Sequence, residues 1–325
     1  MDKSENNLVA WIAERLGKAN ASEDSLPIGI GDDMAMIRPG GAGVLIAADM
    51  LMDGVDFDSA IHEPERIGRK ALAVNLSDCA AMAVQPRYAL VSLALPNGWS
   101  MGQAQRLYVG MEELAKRYGV RIIGGDTNSW DKPMVIDVTV VAEPWPGVRP
   151  VTRSGMKQND ILVVTGNLGG SISGHHLDFE PRVLEAKWLA EKLGDNLHAM
   201  MDISDGLSID AMRMCDASGS GIEFNRSMLE SVASRSALAA AKGDPEKTLN
   251  HVLNDGEDFE LLFAVDANAW TELRESPEGR KTISPHVSPR YTGVGRALHE
   301  PGVWLCNGMG IEKTPITAAG WQHFK

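Results

Sequence analysis

The chain has 325 residues and a formal charge of -13, from 44 acidic against 31 basic side chains, with 44% hydrophobic and 23% charged residues. That balance supports a large buried core, excludes intrinsic disorder and argues against a phosphate-neutralising surface for nucleic acid. The longest apolar runs, such as 161–164 and 261–265, are too short to span a bilayer, and the first residues lack the basic start and apolar core of a signal peptide. A cytoplasmic protein of about two domains, without a membrane segment, is expected. Cys79, Cys215 and Cys306 are odd in number and far apart, so they read as buried thiols rather than a metal or redox motif.

In chain order, residues 6–17 place Leu8, Trp11, Ile12 and Leu16 on one helical face, with Gly17 as a stop. The stretch from Ile28 to Met36 then carries Asp32 and Asp33 behind alternating glycines. Its design, a short apolar run followed by carboxylate, recurs at 44–49, ending in Asp49, at 121–126, ending in Asp126, and at 199–205, with Asp202 and Asp205. Each reads as a buried strand with an acidic end, and four such ends predict one shared site. Singly, any of them could be a turn residue or a helix cap.

Residues 63–83 read as a helix opened by Pro64, with Ile67, Ala71, Val74 and Asp78 on one side and Asn75 beside the last of these. A carboxylate on that buried stripe needs donors or a metal. A strand follows at 87–95, a helix at 103–118 closed by Gly119, a strand from 121 and an alternating strand at 134–142. Proline and glycine gather at 143–150, which places a domain boundary between 1–148 and 149–325.

The second half begins with a strand at 161–165 feeding a glycine-rich loop at 166–171, whose amides could cradle a phosphate. The adjacent His175 and His176 lie in a loop without matching ligand partners and are not read as a metal site. A helix is expected at 184–193 and another at 208–217, with Ser204 or Asp205 as its cap. Glu257 falls in the bend at 253–258 before a strand at 259–265, and 266–290 reads as loops around a short helix.

No Walker-type phosphate loop, protein-kinase catalytic loop or dinucleotide fingerprint is present in the sequence. Clustered aspartates beside small residues are hard oxygen ligands suited to Mg²⁺. Cations held there would let an acidic protein bind an anionic nucleotide and support direct in-line phosphoryl transfer.

Taken together, Gly-Asp-Asp at 31–33, the segment from Asp49 to Phe57, Asn-Leu-Ser-Asp-Cys-Ala-Ala-Met at 75–82 and Gly-Gly-Asp-Thr at 124–127 form one ordered series. It continues with Thr-Arg-Ser-Gly at 152–155, Asp-Ile-Ser-Asp-Gly-Leu at 202–207, Gly-Glu-Asp-Phe-Glu-Leu at 256–261 and the ending from Gly320 to Phe324. The series resembles the thiamine-monophosphate kinase family over nearly the whole chain. The resemblance implies an α/β (α+β) two-domain fold like that of aminoimidazole ribonucleotide synthetase. A mixed-sheet N-terminal domain would bind ATP and Mg²⁺ and form a homodimer, and an α/β C-terminal domain would complete the site. It further implies transfer of phosphate from ATP to thiamine monophosphate, with several Mg²⁺ ions.

By position, the resemblance makes Asp32, Asp33, Asp49, Asp78, Asp126, Asp202 and Asp205 metal ligands, with Asp126 and Asp205 closest to the chemistry. It assigns Gly125, Asp126, Arg153, Ser204 and Tyr108 to the nucleotide, and Glu257 and Trp321 to thiamine. Departures from the pattern are Ala47 and Ala48 in place of hydroxyl residues, Asp255 in place of glycine, and Asp56 where the family has histidine. Asp56 is expected to pair with the cationic ring instead. The rival readings are a sister enzyme with another small acceptor and an inactive ATP-binding homologue. Selenophosphate synthetase would need a reactive residue near the N-terminus, whereas the first cysteine is Cys79, and the hydrogenase-maturation protein would need a C-terminal cysteine where this chain has Phe324 and Lys325.

Overall fold

In the computed structural model, residues 27–28, 32–37, 43–276, 291–307 and 313–320 are described. The expected helix at 6–17, the segment 277–290 and Trp321 lie outside the described residues. The first half contains β1 (Ala35–Ile37), β2 (Val44–Met52), α1 (Pro64–Ala81), β3 (Val84–Pro96), α2 (Met101–Tyr118), β4 (Arg121–Trp130) and β5 (Val135–Pro144). Its strands form one mixed sheet in the order β1-β2-β5-β3-β4, in which only β3 and β4 run parallel.

The second half contains β6 (Ile161–Thr165), the short α3 (His175–Asp178), α4 (Val183–Leu193), β7 (Leu197–Ile203), α5 (Leu207–Ser218) and β8 (Gly221–Asn225). Next come α6 (Arg226–Ser231), α7 (Arg235–Ala241), α8 (Pro245–Asn254), β9 (Glu260–Val265), α9 (Ala267–Glu275), β10 (Tyr291–Leu298), β11 (Gly302–Cys306) and β12 (Lys313–Pro315). Seven strands pair in the order β12-β11-β8-β10-β6-β9-β7, again mostly antiparallel.

Two helices carry the first sheet. Pro64 opens α1 at a position where its missing N–H costs nothing, and Ile67, Ala71 and Val74 are buried as the spacing predicts. A Ser100–Gln103 capping box starts α2, and Gly119 ends it in the left-handed region with φ 68°. The two helices cross at glycines: a Cβ on Gly68 would stand 1.9 Å from the Leu107 carbonyl oxygen, and one on Gly110 would stand 1.9 Å from that of Glu65. Only glycine permits that approach.

One apolar core joins the halves. It runs from Ile67, Leu72 and Leu76 of α1 through Leu189 of α4 to Met200 of β7 and Phe263 of β9. The helix α1 therefore lies between the two sheets, and its C-terminal residues face the end of β7. A second core under the seven-stranded sheet contains Leu162, Ile203, Phe224 and Leu262.

Candidate active site

Between the sheets lies a cavity of about 740 Å³, whose lining includes Asp32, Asp33, Asp49, Asp78, Asp202 and Asp205. Different elements supply these carboxylates. Asp32 and Asp33 sit between the two residues paired in the Ile28–Met36 bridge, Asp78 on the last turns of α1, and Asp202 near the end of β7. Asp49 is not at a strand end as expected. It lies within β2, opposite Val138 of β5, because the strand continues through Met52.

Oxygens of Asp33, Asp78 and Asp202 all fall within 4.8 Å of one another. Such crowding of like charge disfavours ionisation. Burial pushes the Asp78 and Asp202 carboxyls well above the ordinary carboxylate range, and the neighbouring aspartates add to it. Asp49 is pushed up to about 6, first by burial and then by Asp33 and other carboxylates. Asp32 is raised too, again chiefly by burial.

Some of this charge is compensated. Arg153 grips Asp33 with two hydrogen bonds, Nε at 2.9 Å and Nη2 at 2.7 Å, while its backbone N–H donates to Asp32 at 2.8 Å. Ser77, one residue before Asp78 on α1, donates to Asp202 at 2.6 Å. That bond opposes the rise in the Asp202 pKa and ties α1 to β7.

The loop after β7 is organised by a residue the sequence reading passed over. Asp210, buried in the first turn of α5, accepts the backbone N–H groups of Ser204, Asp205 and Gly206 at 3.1 to 3.2 Å. Neither Ser204 nor Asp205 caps α5 with its side chain. Burial pushes Asp210 up to about 7 against the attraction of Arg213. Arg213 spans Asp210 at 2.8 Å and Asp205 at 2.6 Å and reaches the cavity.

At another part of the wall stand Asp56, Asp255 and Glu257. The Glu257 backbone takes φ 57°, and its N–H donates to the Ser204 carbonyl at 2.6 Å. Burial, the largest single effect, raises the Glu257 carboxyl, but His176 and Lys70 together outweigh it and hold the group below its usual range. The glycine-rich loop is not a free phosphate cradle: the Gly169 amide donates to Asp258, and the Gly170 amide to Asp255 at 2.6 Å. His176 is likewise no loop residue. It lies buried on α3, 3.0 Å from Lys70 Nζ.

Three expected nucleotide contacts are elsewhere. Gly125 and Asp126 lie exposed in the middle of β4, the edge strand, opposite Val91 and Ser92 of β3, and Tyr108 is half-buried on α2. Within one chain, then, the Asp126 carboxylate does not join the other six. The lining does include Arg153 and Ser204, and also Ala47 and Ala48, where no hydroxyl is available.

Residues 31–143 match the family model for AIR synthase related protein, N-terminal domain, and residues 157–278 match the corresponding C-terminal domain. Two such units around an acidic cleft define the class. The chain is 39% identical over 289 residues to a thiamine-monophosphate kinase of Rhodopirellula baltica, covering 85% of each sequence. It is 35% identical over 327 residues to that of Bacillus subtilis, covering 93% of this chain and 94% of the relative. The chain belongs to the thiamine-monophosphate kinase family. Among solved structures, AaThiL complexed with AMPPCP and TMP aligns over 99% of this chain and 97% of that one, with a TM-score of 0.77 at 27% identity.

Proposed function

We propose that the protein transfers the γ-phosphoryl group of ATP to thiamine monophosphate, giving ADP and thiamine diphosphate. The observation that carries this is the convergence of Asp33, Asp78 and Asp202 within 4.8 Å in a cavity that also holds Glu257. Relatives named for the same reaction, and a similar structure with AMPPCP and TMP bound, support it.

The donor set fits Mg²⁺: buried, mutually repelling carboxylates are hard ligands that gain from a divalent cation. Asp33, Asp49, Asp78, Asp202 and Asp205 would hold it, with Asp32 alongside, and when bound it would neutralise charge on the transferred group. The chain's own residues supply the frame. Arg153 fixes Asp33, Ser77 orients Asp202, and Asp210 fixes the backbone that carries Ser204 and Asp205. Held this way, the carboxylates need little rearrangement when ligands arrive. Glu257 and Asp56 offer negative charge to the cationic ring of the acceptor, where the resemblance also places Trp321.

We further place the boundary between the domains near residue 148, and infer a homodimer in which β4 of each copy faces the other. The exposed edge of β4 and the uncovered apolar side chains of Met50, Leu90, Ile123 and Trp130 on that sheet support the pairing. It would give Gly125 and Asp126 a role in the site of the other copy. Mixing the Asp126→Asn and Asp202→Asn proteins tests this: shared sites predict activity regained on subunit exchange, and self-contained sites predict none.

The catalytic reading is tested by incubating the protein with ATP, Mg²⁺ and thiamine monophosphate and separating the products by chromatography. ADP and thiamine diphosphate are expected in equal amounts. ADP without thiamine diphosphate would overturn the acceptor, and no ADP at all would overturn the kinase.

A further inference from the structure

Lys70 lies behind the cavity wall rather than in it. It stands on α1 between Ile67 and Val74, and its side chain is fully buried. An ammonium group so enclosed must be surrounded by acceptors, because leaving it unpaired away from water is strongly disfavoured. Its Nζ donates to the Asp56 carbonyl oxygen at 2.6 Å and to Glu257 Oε2, and lies 3.0 Å from His176 Nδ1. His176 Nδ1 is in turn 3.2 Å from the same Glu257 oxygen. Three N–H groups thus meet three polar neighbours.

The neighbours come from separate parts of the chain. Asp56 belongs to the turn after β2, His176 to α3, and Glu257 to the bend before β9. Asp56 and Glu257 line the cavity, and the Glu257 side chain keeps 23% of its surface exposed. Its left-handed backbone is one that a residue with a side chain rarely adopts, and it persists only where the surroundings determine it. Among the described residues, the polar contacts of the Glu257 carboxylate fall on Oε2, which leaves Oε1 for a ligand.

We propose that Lys70 is a positioning residue for recognition of the acceptor: it fixes the Glu257 carboxylate and the Asp56 backbone so that the cavity presents oriented negative charge to a cationic ring. Its enclosure keeps it from touching phosphate, so it acts only through these two residues. The proposal rests on the kinase reading above and adds the device that sets acceptor affinity apart from nucleotide affinity.

The test is a double-mutant cycle of Lys70→Met, Glu257→Gln and the two combined, read by calorimetric Kd for thiamine monophosphate and by KM for each substrate. Lys70→Met is expected to weaken thiamine monophosphate, in Kd and KM, by about tenfold, the scale of a lost charged hydrogen bond. KM for ATP should stay within about twofold. Glu257→Gln should do the same, and the double variant should lose clearly less than the two single losses combined, the remainder being the share carried by the Asp56 backbone. Additive losses, or a loss confined to kcat or to ATP, would overturn the role of Lys70, since a merely structural lysine would not separate the two substrates. If Lys70→Met cannot be purified, the double variant and Glu257→Gln still decide: a further loss well under about tenfold supports the proposal, and a further loss of about tenfold or more refutes it. Wild-type protein that binds no thiamine monophosphate would defeat the kinase reading itself, and the assignment of Lys70 with it.

Discussion

Removing Mg²⁺ should make stability fall as pH rises through the weakly acid range, and restoring it should matter far more at pH 7.5 than at pH 5. Asp49 shows the size. Its carboxyl moves from an ordinary 3.8 to about 6 in the folded protein. At about 1.36 kcal/mol per pKa unit, that difference is worth about 3 kcal/mol. Below the unfolded value both states are protonated and nothing is lost. Between the two values the folded protein retains a proton that the unfolded chain has released, so stability drops with rising pH and stays lower above the folded value. Asp78 and Asp202 move in the same direction. For a chain of this size the Asp49 contribution alone corresponds to a melting temperature lower by roughly 4 °C. Because a cation binds the ionised carboxylates, its stabilisation grows over the same pH interval. Thermal melts at pH 5 and pH 7.5, with and without saturating Mg²⁺, would show this, and Asp49→Asn should reduce the metal-free fall. A shift on adding Mg²⁺ that is equal at the two pH values, or larger at pH 5, would refute the reasoning.

Other consequences are local. Gly110→Ala places a methyl group against the Glu65 carbonyl oxygen, backbone against backbone, and should lower stability by about 2 kcal/mol or more in urea unfolding; an unchanged midpoint would exclude the close helix crossing. Ser77→Ala removes the hydrogen bond that favours ionised Asp202, so the acidic limb of kcat/KM should move to higher pH, and an unmoved limb would detach Asp202 from activity. Arg153→Met leaves the Asp33 carboxylate buried without its cation and should cost about 3 kcal/mol in metal-free protein and clearly less with Mg²⁺. Equal losses in both conditions would mean that Asp33 does not face the metal.

Much of this arrangement is legible in the sequence where periodicity and local chemistry agree. Helices were expected at 63–83, 103–118, 184–193 and 208–217, and the structure places them within two residues of those limits. The acidic cluster follows from repeated apolar runs with Asp, and six of its seven members share one cavity. What pattern alone does not contain is how far a strand continues or which edge a second copy could cover, so Asp49 and Asp126 read as strand ends although both lie mid-strand. Second-half elements such as α7, α8, β10 and β11 carried no clear signal, since short helices and strands paired with distant parts of the chain depend on tertiary contacts more than on periodicity. Lys70 did leave a trace. It stands three residues after Ile67 and four before Val74, on the very stripe read as buried, and a charged residue there signals a compensating network. Arg213 and Asp210 gave no comparable sign, because their importance arises from loop 204–206 folding back over the first turns of α5.

The central claim is a direct transfer between two substrates held in one acidic cavity. Following the label from γ-³²P ATP in a single turnover with thiamine monophosphate and Mg²⁺ tests it most directly, with Asp202→Asn as the control. The label is expected in thiamine diphosphate, one for each ADP formed, and absent from that product in the variant. Label released as inorganic phosphate or retained on the protein would contradict the account.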